Sequence, residues 1–434
     1  MPLHPEQEKA LDLVKEGKNI FLTGPAGAGK SYLLRTITEW AAASGKVLAL
    51  TALTGCAAIL LGSQAKTLHS WAAVGLGKEP VATMVANIGR NYFNKRRWLK
   101  THILVIDEIS MMTPDFFEKL DQVARLVRRR AKPFGGLQLV LCGDFYQLPP
   151  VSRGISGEMP GRFAFESPLW STCGLQTVLL KQIERQKDPV FQNLLNECRV
   201  GEISPESVTA LKARIGLNWK KHVIKPTLLF SKNADVDNIN EKNLQALKKP
   251  LRTFTASTMT GPKIEQGASL DPPSKEQVDH LVNRLDLDSS YSPTLELCEG
   301  CQVMLLTNLS VEEGLVNGSR GVITEFTPEG LPVVQFLRGL PKPIEHHSWV
   351  SPDHSGISRR QIPLRVAYAI TIHKSQGATL DCALVDIGDS TFEYGQAYVA
   401  LSRVRDLESL FVYALDPTKI IAHPAVKTFY GSLA

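Results

Sequence analysis

The run Gly24-Pro25-Ala26-Gly27-Ala28-Gly29-Lys30-Ser31 has the residue types and spacing to cradle a polyphosphate. It follows a short apolar run, Asn19–Thr23, and opens a helical pattern from Lys30 to Ser44. Glycines let backbone amides curl around phosphate oxygens, and a helix N-terminus adds the favourable end of its dipole. Lys30 suits the β- and γ-phosphates, and Ser31 suits Mg²⁺. A chance lysine after a Gly-rich turn would not also bring the strand, the helix and this motif length. The acidic partner is Asp107-Glu108, at the end of the apolar run Ile103–Ile106. Open α/β sheets bind ligands at the C-terminal ends of their strands. There Asp107 would hold Mg²⁺, and Glu108 would polarise an attacking water as a general base. An acidic helix cap accounts for one of these carboxylates, not both. Hydrolysis of ATP or GTP follows; what the hydrolysis drives does not.

Those groups need a sheet behind them. Strands are expected at 19–23, 46–51, 102–106 and 137–141, the third nearly all apolar as a strand buried on both faces should be. A helix is expected from Pro114 to Arg130. A second α/β pattern starts near Leu179, with helices at 188–199 and 204–214, a strand at 227–231 and a helix at 234–247. Between 250 and 295 the pattern weakens, turn residues gather in GPKIEQGASLDPPS (261–274), and one helix is expected at 275–285. From 302 to 363 short strands separated by NGS, PEG and GLPKP turns predict a small all-β insertion of barrel type. The α/β pattern resumes at Arg365 and ends in a strand at 409–414. No internal repeat or low-complexity tract stands out.

Composition sets the limits. The chain has 434 residues, 43% of them hydrophobic, enough for several cored domains. Lys plus Arg is 49 against 43 Asp plus Glu, a formal charge of +6 that permits nucleic-acid binding but excludes a histone-like basic arm. No run approaches the 18 or more apolar residues of a membrane span. The N-terminus MPLHPEQEKA has neither a signal nor a transit pattern. The cysteines at 56, 142, 173, 198, 298, 301 and 382 form an odd, scattered set, expected as reduced thiols in an intracellular compartment. Only Cys298 and Cys301 have metal-like spacing. Zinc wants about four ligands, and His346 and His347 are the only others near in sequence. Ordinary thiols are the expectation.

The remaining motifs narrow the class. Gly143-Asp-Phe-Tyr-Gln147-Leu-Pro-Pro-Val151 follows the fourth strand, His373-Lys-Ser-Gln-Gly377 is expected on a helix, and Tyr398-Val-Ala-Leu-Ser-Arg403 comes near the end. With VIDEIS at 105–110 they resemble the motifs of superfamily 1 helicases. More closely, the chain resembles the petite integration frequency (PIF) helicase family of superfamily 1B, a relative of the RecD-like enzymes. TALTGCAA (51–58), TLHSWAAVGLG (67–77), GLVNGSRGVI (314–323) and the run 363–380 are similar to family motifs, and LLKQIERQKDPVFQNLLNECRVG (179–201) resembles the signature peculiar to it. The likeness runs from Pro5 to the C-terminus. The core motifs begin within ten residues of Met1, where many members carry a long N-terminal extension before them.

The resemblance implies an α/β fold with two RecA-like P-loop NTPase domains. The first would span 1–178 with a wedge insertion at 61–78. The second would comprise 179–301 and 363–434, and an SH3-like β-barrel would occupy 302–362. It implies an ATP-dependent, Mg²⁺-requiring helicase that moves 5′ to 3′ on single-stranded DNA. Forked and G-quadruplex DNA would be its substrates, without a membrane, and a monomer would suffice. Its compartment would be a bacterial or viral cytoplasm, or a nucleus or mitochondrion. Gln7 resembles the family's adenine-reading glutamine, and Gln147 the sensor of the γ-phosphate or attacking water. Arg185 and Arg403 resemble the arginines that reach the γ-phosphate from the second domain. Arginine suits that role, being always charged, planar and a multiple donor. Backbone contacts to DNA would come from Thr51, Thr54, His69, Thr371, His373 and Lys374, with Phe145 and Trp71 as base-stacking candidates. Trp349, His346 and His347 could face DNA, although a core tryptophan is the plainer reading. NKRRWLK (94–100) and VRRR (127–130) are basic clusters that suit phosphate or a solvated helix end equally. Two other readings fit the phosphate loop: a translocase that strips proteins or RNA from DNA without useful strand separation, and a P-loop kinase or metabolic enzyme, which leaves the late motifs unexplained.

Overall fold

The computed structural model describes residues 2–62, 64–75, 77–150, 162–219, 224–230, 233–261, 264–265, 268–269, 274–310, 313, 315–337, 339–351, 354 and 356–433. Val151 and most of 261–274 lie outside them. The chain forms two compact units, Met1–Ser207 with Phe392–Ser402 and Pro417–Ala434, and Val208–Thr391 with Arg403–Asp416. The expected domain line at 178 therefore differs from the first unit's edge. The helix Pro189–Val200 belongs to that unit because Phe191, Leu194, Leu195 and Cys198 are buried there and Arg199 pairs with Asp144.

The first unit is built on a parallel six-stranded sheet of β1 (Ile20–Thr23), β2 (Leu48–Ala52), β3 (Lys66–Thr67), β4 (Ile103–Asp107), β5 (Gln138–Cys142) and β6 (Gln176–Leu179), in the order β3-β2-β4-β5-β1-β6. Strands β1 and β4 are buried along their whole length, as expected for a sheet covered on both faces. The helix Lys30–Ala43 buries Leu33, Leu34, Ile37 and Ala41, one stripe at helical spacing. The helix Pro114–Arg128 is started by Thr113, whose side chain accepts from the Phe116 N–H, and by Pro114 in its first turn. It stops at Arg129, which turns left-handed at φ +53°.

Among the elements of this unit that were not expected are a strand and a helix that complete it. Strand β6 extends the sheet beside β1. A final helix, Pro424–Gly431, carries Phe429 into a ring cluster with Phe21, Phe145 and Phe165. In the 61–78 segment, Lys66–Thr67 adds an edge strand to β2, and Leu68, Trp71, Ala72 and Val74 enter the core.

The second unit has a four-stranded parallel sheet in the order 369–371, 227–230, 383–387, 410–415. It also has a five-stranded antiparallel sheet in the order 342–343, 332–336, 320–326, 302–305, 364–366. A third, three-stranded sheet runs 347–350, 357–361, 257–260. The all-β region thus recruits 257–260, a strand the weak pattern before 295 hid. The expected helices at 234–247 and 275–285 are Asn233–Ala246 and Lys275–Asp288. Cys298 and Cys301 close a turn through a 3.2 Å backbone bond and are buried in the core with Leu297 and Val303. Burial pushes the Cys301 thiol up to about 12. Trp349 is buried against Tyr291, with ring centroids 4.7 Å apart.

Candidate functional site

The phosphate loop joins β1 to the helix Lys30–Ala43. Three of its residues need to be glycine. Gly24 runs so close to Leu180 that a Cβ would meet its carbonyl oxygen at 2.5 Å. Gly27 (φ +83°) would meet the Arg185 Cβ at 2.6 Å, and Gly29 (φ +80°) the Gln7 amide nitrogen at 2.7 Å. The Lys30 ammonium donates to the carbonyls of Gly24 (2.7 Å) and Pro25 (2.9 Å), so it sits at the mouth of the loop. Ser31 is exposed beside it.

Asp107 ends β4 and is 8% exposed. Burial raises its pKa, against the opposing effects of the Cys142 thiol, the Glu108 N–H and the Lys30 charge. A buried carboxylate facing an ammonium is suited to a cation. Glu108 adopts a left-handed conformation, φ 57° and ψ 40°, rare for a residue with a Cβ, and its N–H donates to Asp107 Oδ1 at 2.9 Å.

Gln7 is buried against the loop, but its Oε1 accepts the His4 N–H at 3.1 Å, leaving the amide NH₂ toward Gly29. Gln147 is buried after β5, and its N–H donates to the Asp144 carbonyl at 2.9 Å. Arg185 belongs to the unit that carries the phosphate loop, which corrects its expected place in the second domain. The Gly27 carbonyl accepts from the Glu184 and Arg185 amides, and the Arg185 guanidinium donates to the Ser402 carbonyl at 2.9 Å. Arg403 belongs to the second unit, where its guanidinium donates to the Ser375 and Ala378 carbonyls.

Sequence reasoning missed a group of polar residues behind this site. Ala26 N–H donates to the Tyr398 hydroxyl at 2.7 Å, so the YVALSR helix (Gln396–Leu401) props the loop directly. Asp144, fully buried, takes two bonds from Arg199, at 2.9 and 2.8 Å. The guanidinium lies 4.5 Å from the Tyr146 ring centroid and 5.3 Å from that of Tyr430. The Tyr430 hydroxyl meets Thr23 Oγ1 at 2.5 Å and accepts the Phe145 N–H at 3.2 Å. Burial works against the Arg199 charge, but the Asp144 carboxylate outweighs it and the guanidinium stays protonated. Asp144 and Arg199 lie inside the 143–151 and 179–201 motifs, and a charged pair within apolar stretches was the available signal. Tyr430 gave none, because its helix was not expected.

The nucleic-acid candidates divide by burial. Thr54 and His69 line an open cavity of about 370 Å³ with Phe116, Lys119 and Met111, where His69 stacks on Phe116 at 4.6 Å. His373 is half-buried and Lys374 exposed. Burial lowers the His373 pKa below 6.5, so at neutral pH it is a hydrogen-bonding group and not a cation. The same holds for His346 and His347. Four candidates are corrected by their surroundings. Thr51 is buried and donates to the Val105 carbonyl at 2.5 Å. Thr371 is buried and caps the short helix Ile372–Ser375 by accepting from the Lys374 N–H. Trp71 packs on Trp98, and Phe145 is 1% exposed among Phe21, Phe165 and Trp170, so neither ring has a face open to a base.

The model of the PIF1-like helicase family matches residues 2–208, and that of the DNA helicase Pif1 2B domain matches 280–326. The human ATP-dependent DNA helicase PIF1 is 42% identical over 99% of this chain, which spans 64% of that relative's length. Among solved structures, Pif1 helicase from Candida albicans is 34% identical with a TM-score of 0.78, and each chain is covered completely. Pif1 helicase from Bacteroides in complex with ADP-AlF3 and single-stranded DNA is 29% identical with a TM-score of 0.68, covering 100% of this chain and 97% of that one.

Proposed function

This chain belongs to the PIF1-like helicase family, with its RecA-like helicase core, and from that premise we propose that it is an ATP-dependent DNA helicase moving 5′ to 3′ on single-stranded DNA. One observation carries the reading: a glycine-shaped phosphate loop with Lys30 at its mouth, backed by Asp107 and Glu108 and propped by Tyr398. The Bacteroides relative holding a nucleotide analogue and single-stranded DNA supports it. The backbone amides of 24–31 and Lys30 would bind the phosphates, and Gln7 would read adenine through its amide NH₂. Ser31 and Asp107 would hold Mg²⁺, which when bound supplies neutralisation of phosphate charge. Glu108 would take the proton of the attacking water, Gln147 would orient that water, and Arg185 and Arg403 would offset the charge of the transferred group.

Thr54, His69, His373 and Lys374 would hold the strand by its backbone, since translocation cannot depend on base sequence. The wedge (61–78) would part the strands, and the β region (302–362) would act as the SH3-like module. Forked and G-quadruplex DNA are the proposed substrates, and a monomer the working form. Among the described residues no helix is long and apolar enough to cross a membrane.

Fluorescent forks with a single tail test the reading. Strand release from the 5′-tailed fork, with ATP turnover stimulated by single-stranded DNA, is expected. Release only from the 3′-tailed fork overturns the direction. Turnover indifferent to DNA overturns the helicase reading. Lys30→Ala should lose hydrolysis while folding normally, and retained turnover removes the site assignment.

A further inference from the structure

The two basic clusters of the first unit, NKRRWLK and VRRR, are far apart in sequence but meet in space. Strands β2, β4 and β5 are neighbours and parallel, so the segments that enter them lie side by side at the N-terminal edge of the sheet. Hydrogen bonds join them directly. His102 N–H donates to the Val47 carbonyl at 2.8 Å, and Gln138 N–H to the His102 carbonyl at 3.0 Å. Segments 44–47, 99–102 and 128–137 carry Lys46, Lys100, Arg128, Arg129, Arg130 and Lys132, and not one Asp or Glu.

Arg128 acts as the fastener. Its guanidinium donates to the carbonyls of Trp98, Thr101 (3.0 Å) and Gly135 (2.9 Å), which fixes one basic loop against the other. Lys100, Arg129, Arg130 and Lys132 are exposed, and none has a carboxylate within ion-pair distance among the described residues. Burial, and then the Arg130 charge, lowers the Arg128 pKa. Adjacent strands are about 4.8 Å apart, so the three loops spread their cations over a face roughly 10 Å wide. At about 3.3 Å per residue, β4 sets this edge some 13 Å from Asp107. The edge is therefore distinct from the nucleotide site and from the cavity of Thr54 and His69.

We propose that this edge binds the phosphate backbone of duplex DNA, a second contact separate from the tracked strand; the proposal rests on the helicase reading above. Two features favour this occupant. Protein interfaces are depleted of charge, lysine above all, at their centres, whereas DNA-binding faces are strongly cationic. Proteins that hold single strands pair a basic groove with exposed aromatic rings. Here Trp98 and Phe134 are completely buried, and the partly buried Trp40 ring is covered by the Lys46 ammonium, 4.9 Å from its centroid. What remains is contact with backbone alone, as in sequence-independent duplex binding.

The test is the salt dependence of binding to a short blunt duplex without a tail. Lys100→Gln, Arg130→Gln and Lys132→Gln combined should lower the slope of log K against log salt by about 2 to 3, at roughly 0.9 for each phosphate no longer neutralised. Turnover stimulated by oligo(dT) should be unchanged. The charge-keeping set Lys100→Arg, Arg130→Lys and Lys132→Arg should hold the wild-type slope, which separates loss of charge from loss of fold. An unchanged slope in the glutamine variant overturns the proposal. So does a polyglutamate peptide that binds the wild type through these residues while the duplex slope is unaffected, since the partner is then an acidic protein. Failure of oligo(dT) to stimulate wild-type turnover counts against the helicase reading alone, because the duplex slope is measured without ATP.

Discussion

At the scale of single residues, the buried pair Asp144–Arg199 ties two segments of the nucleotide side together. It binds the loop after β5 to the helix Pro189–Val200, with Tyr146 and Tyr430 against the guanidinium. Removing one partner of such a pair leaves an uncompensated buried charge, at a cost of about 3–5 kcal/mol. Arg199→Ala should therefore lower the melting temperature in a thermal scan and, by loosening Gln147, lower ATP turnover. Asp144→Asn with Arg199→Gln should recover much of the stability, because no buried charge is then left alone. A single variant with wild-type melting would show that the pair is not needed. This pair also shows the limit of reading residues one by one. Lys30, Asp107 and Glu108 declare themselves by position after a buried strand. Thr51, Thr371, Phe145 and Trp71 have the right chemistry for DNA, but their side chains are spent inside the fold. Side-chain direction, which sequence type does not carry, decided which candidates stayed accessible.

At the scale of elements, the phosphate loop depends on close approach as much as on flexibility. Gly27 faces the Arg185 Cβ, and its carbonyl accepts from the Glu184 and Arg185 amides. Gly27→Ala should keep the fold yet weaken nucleotide binding by tenfold or more, about 1.4 kcal/mol, because the loop must open away from residues 184–185. Titration with a fluorescent nucleotide measures this, and unaltered affinity would count against the packing argument. The main strands and long helices were legible because β1 and β4 are unbroken apolar runs, and Lys30–Ala43 and Pro114–Arg128 hold a helical stripe. Three that escaped had no such pattern, although the helix Val81–Arg90, also not expected, buries Met84 and Ile88 four positions apart. Strand β6 is half-exposed, Ser257–Thr260 is polar and exposed along its length, and Pro424–Gly431 is only two turns long. Each is held by its neighbours and not by its own periodicity.

At the scale of the whole molecule, the first unit is closed by chain from both ends of the sequence. Tyr430 reaches Thr23 across 407 positions, and Val426 and Phe429 enter the same core as Phe21. Deleting 417–434 should therefore destabilise the nucleotide-binding unit and reduce ATP affinity, although no expected phosphate contact lies in that stretch. Equal nucleotide affinity in the truncated and full chains would contradict this dependence. The same closure sets an order of events during synthesis. A ribosome releases the phosphate loop early, but the helix that seals its sheet emerges only after the whole second unit. Until then the nascent chain carries an open aromatic seam around Phe21 and Phe145, a surface suited to chaperones and to misassembly. Completion of the sheet that carries the phosphate loop thus waits for a helix that follows the whole second unit.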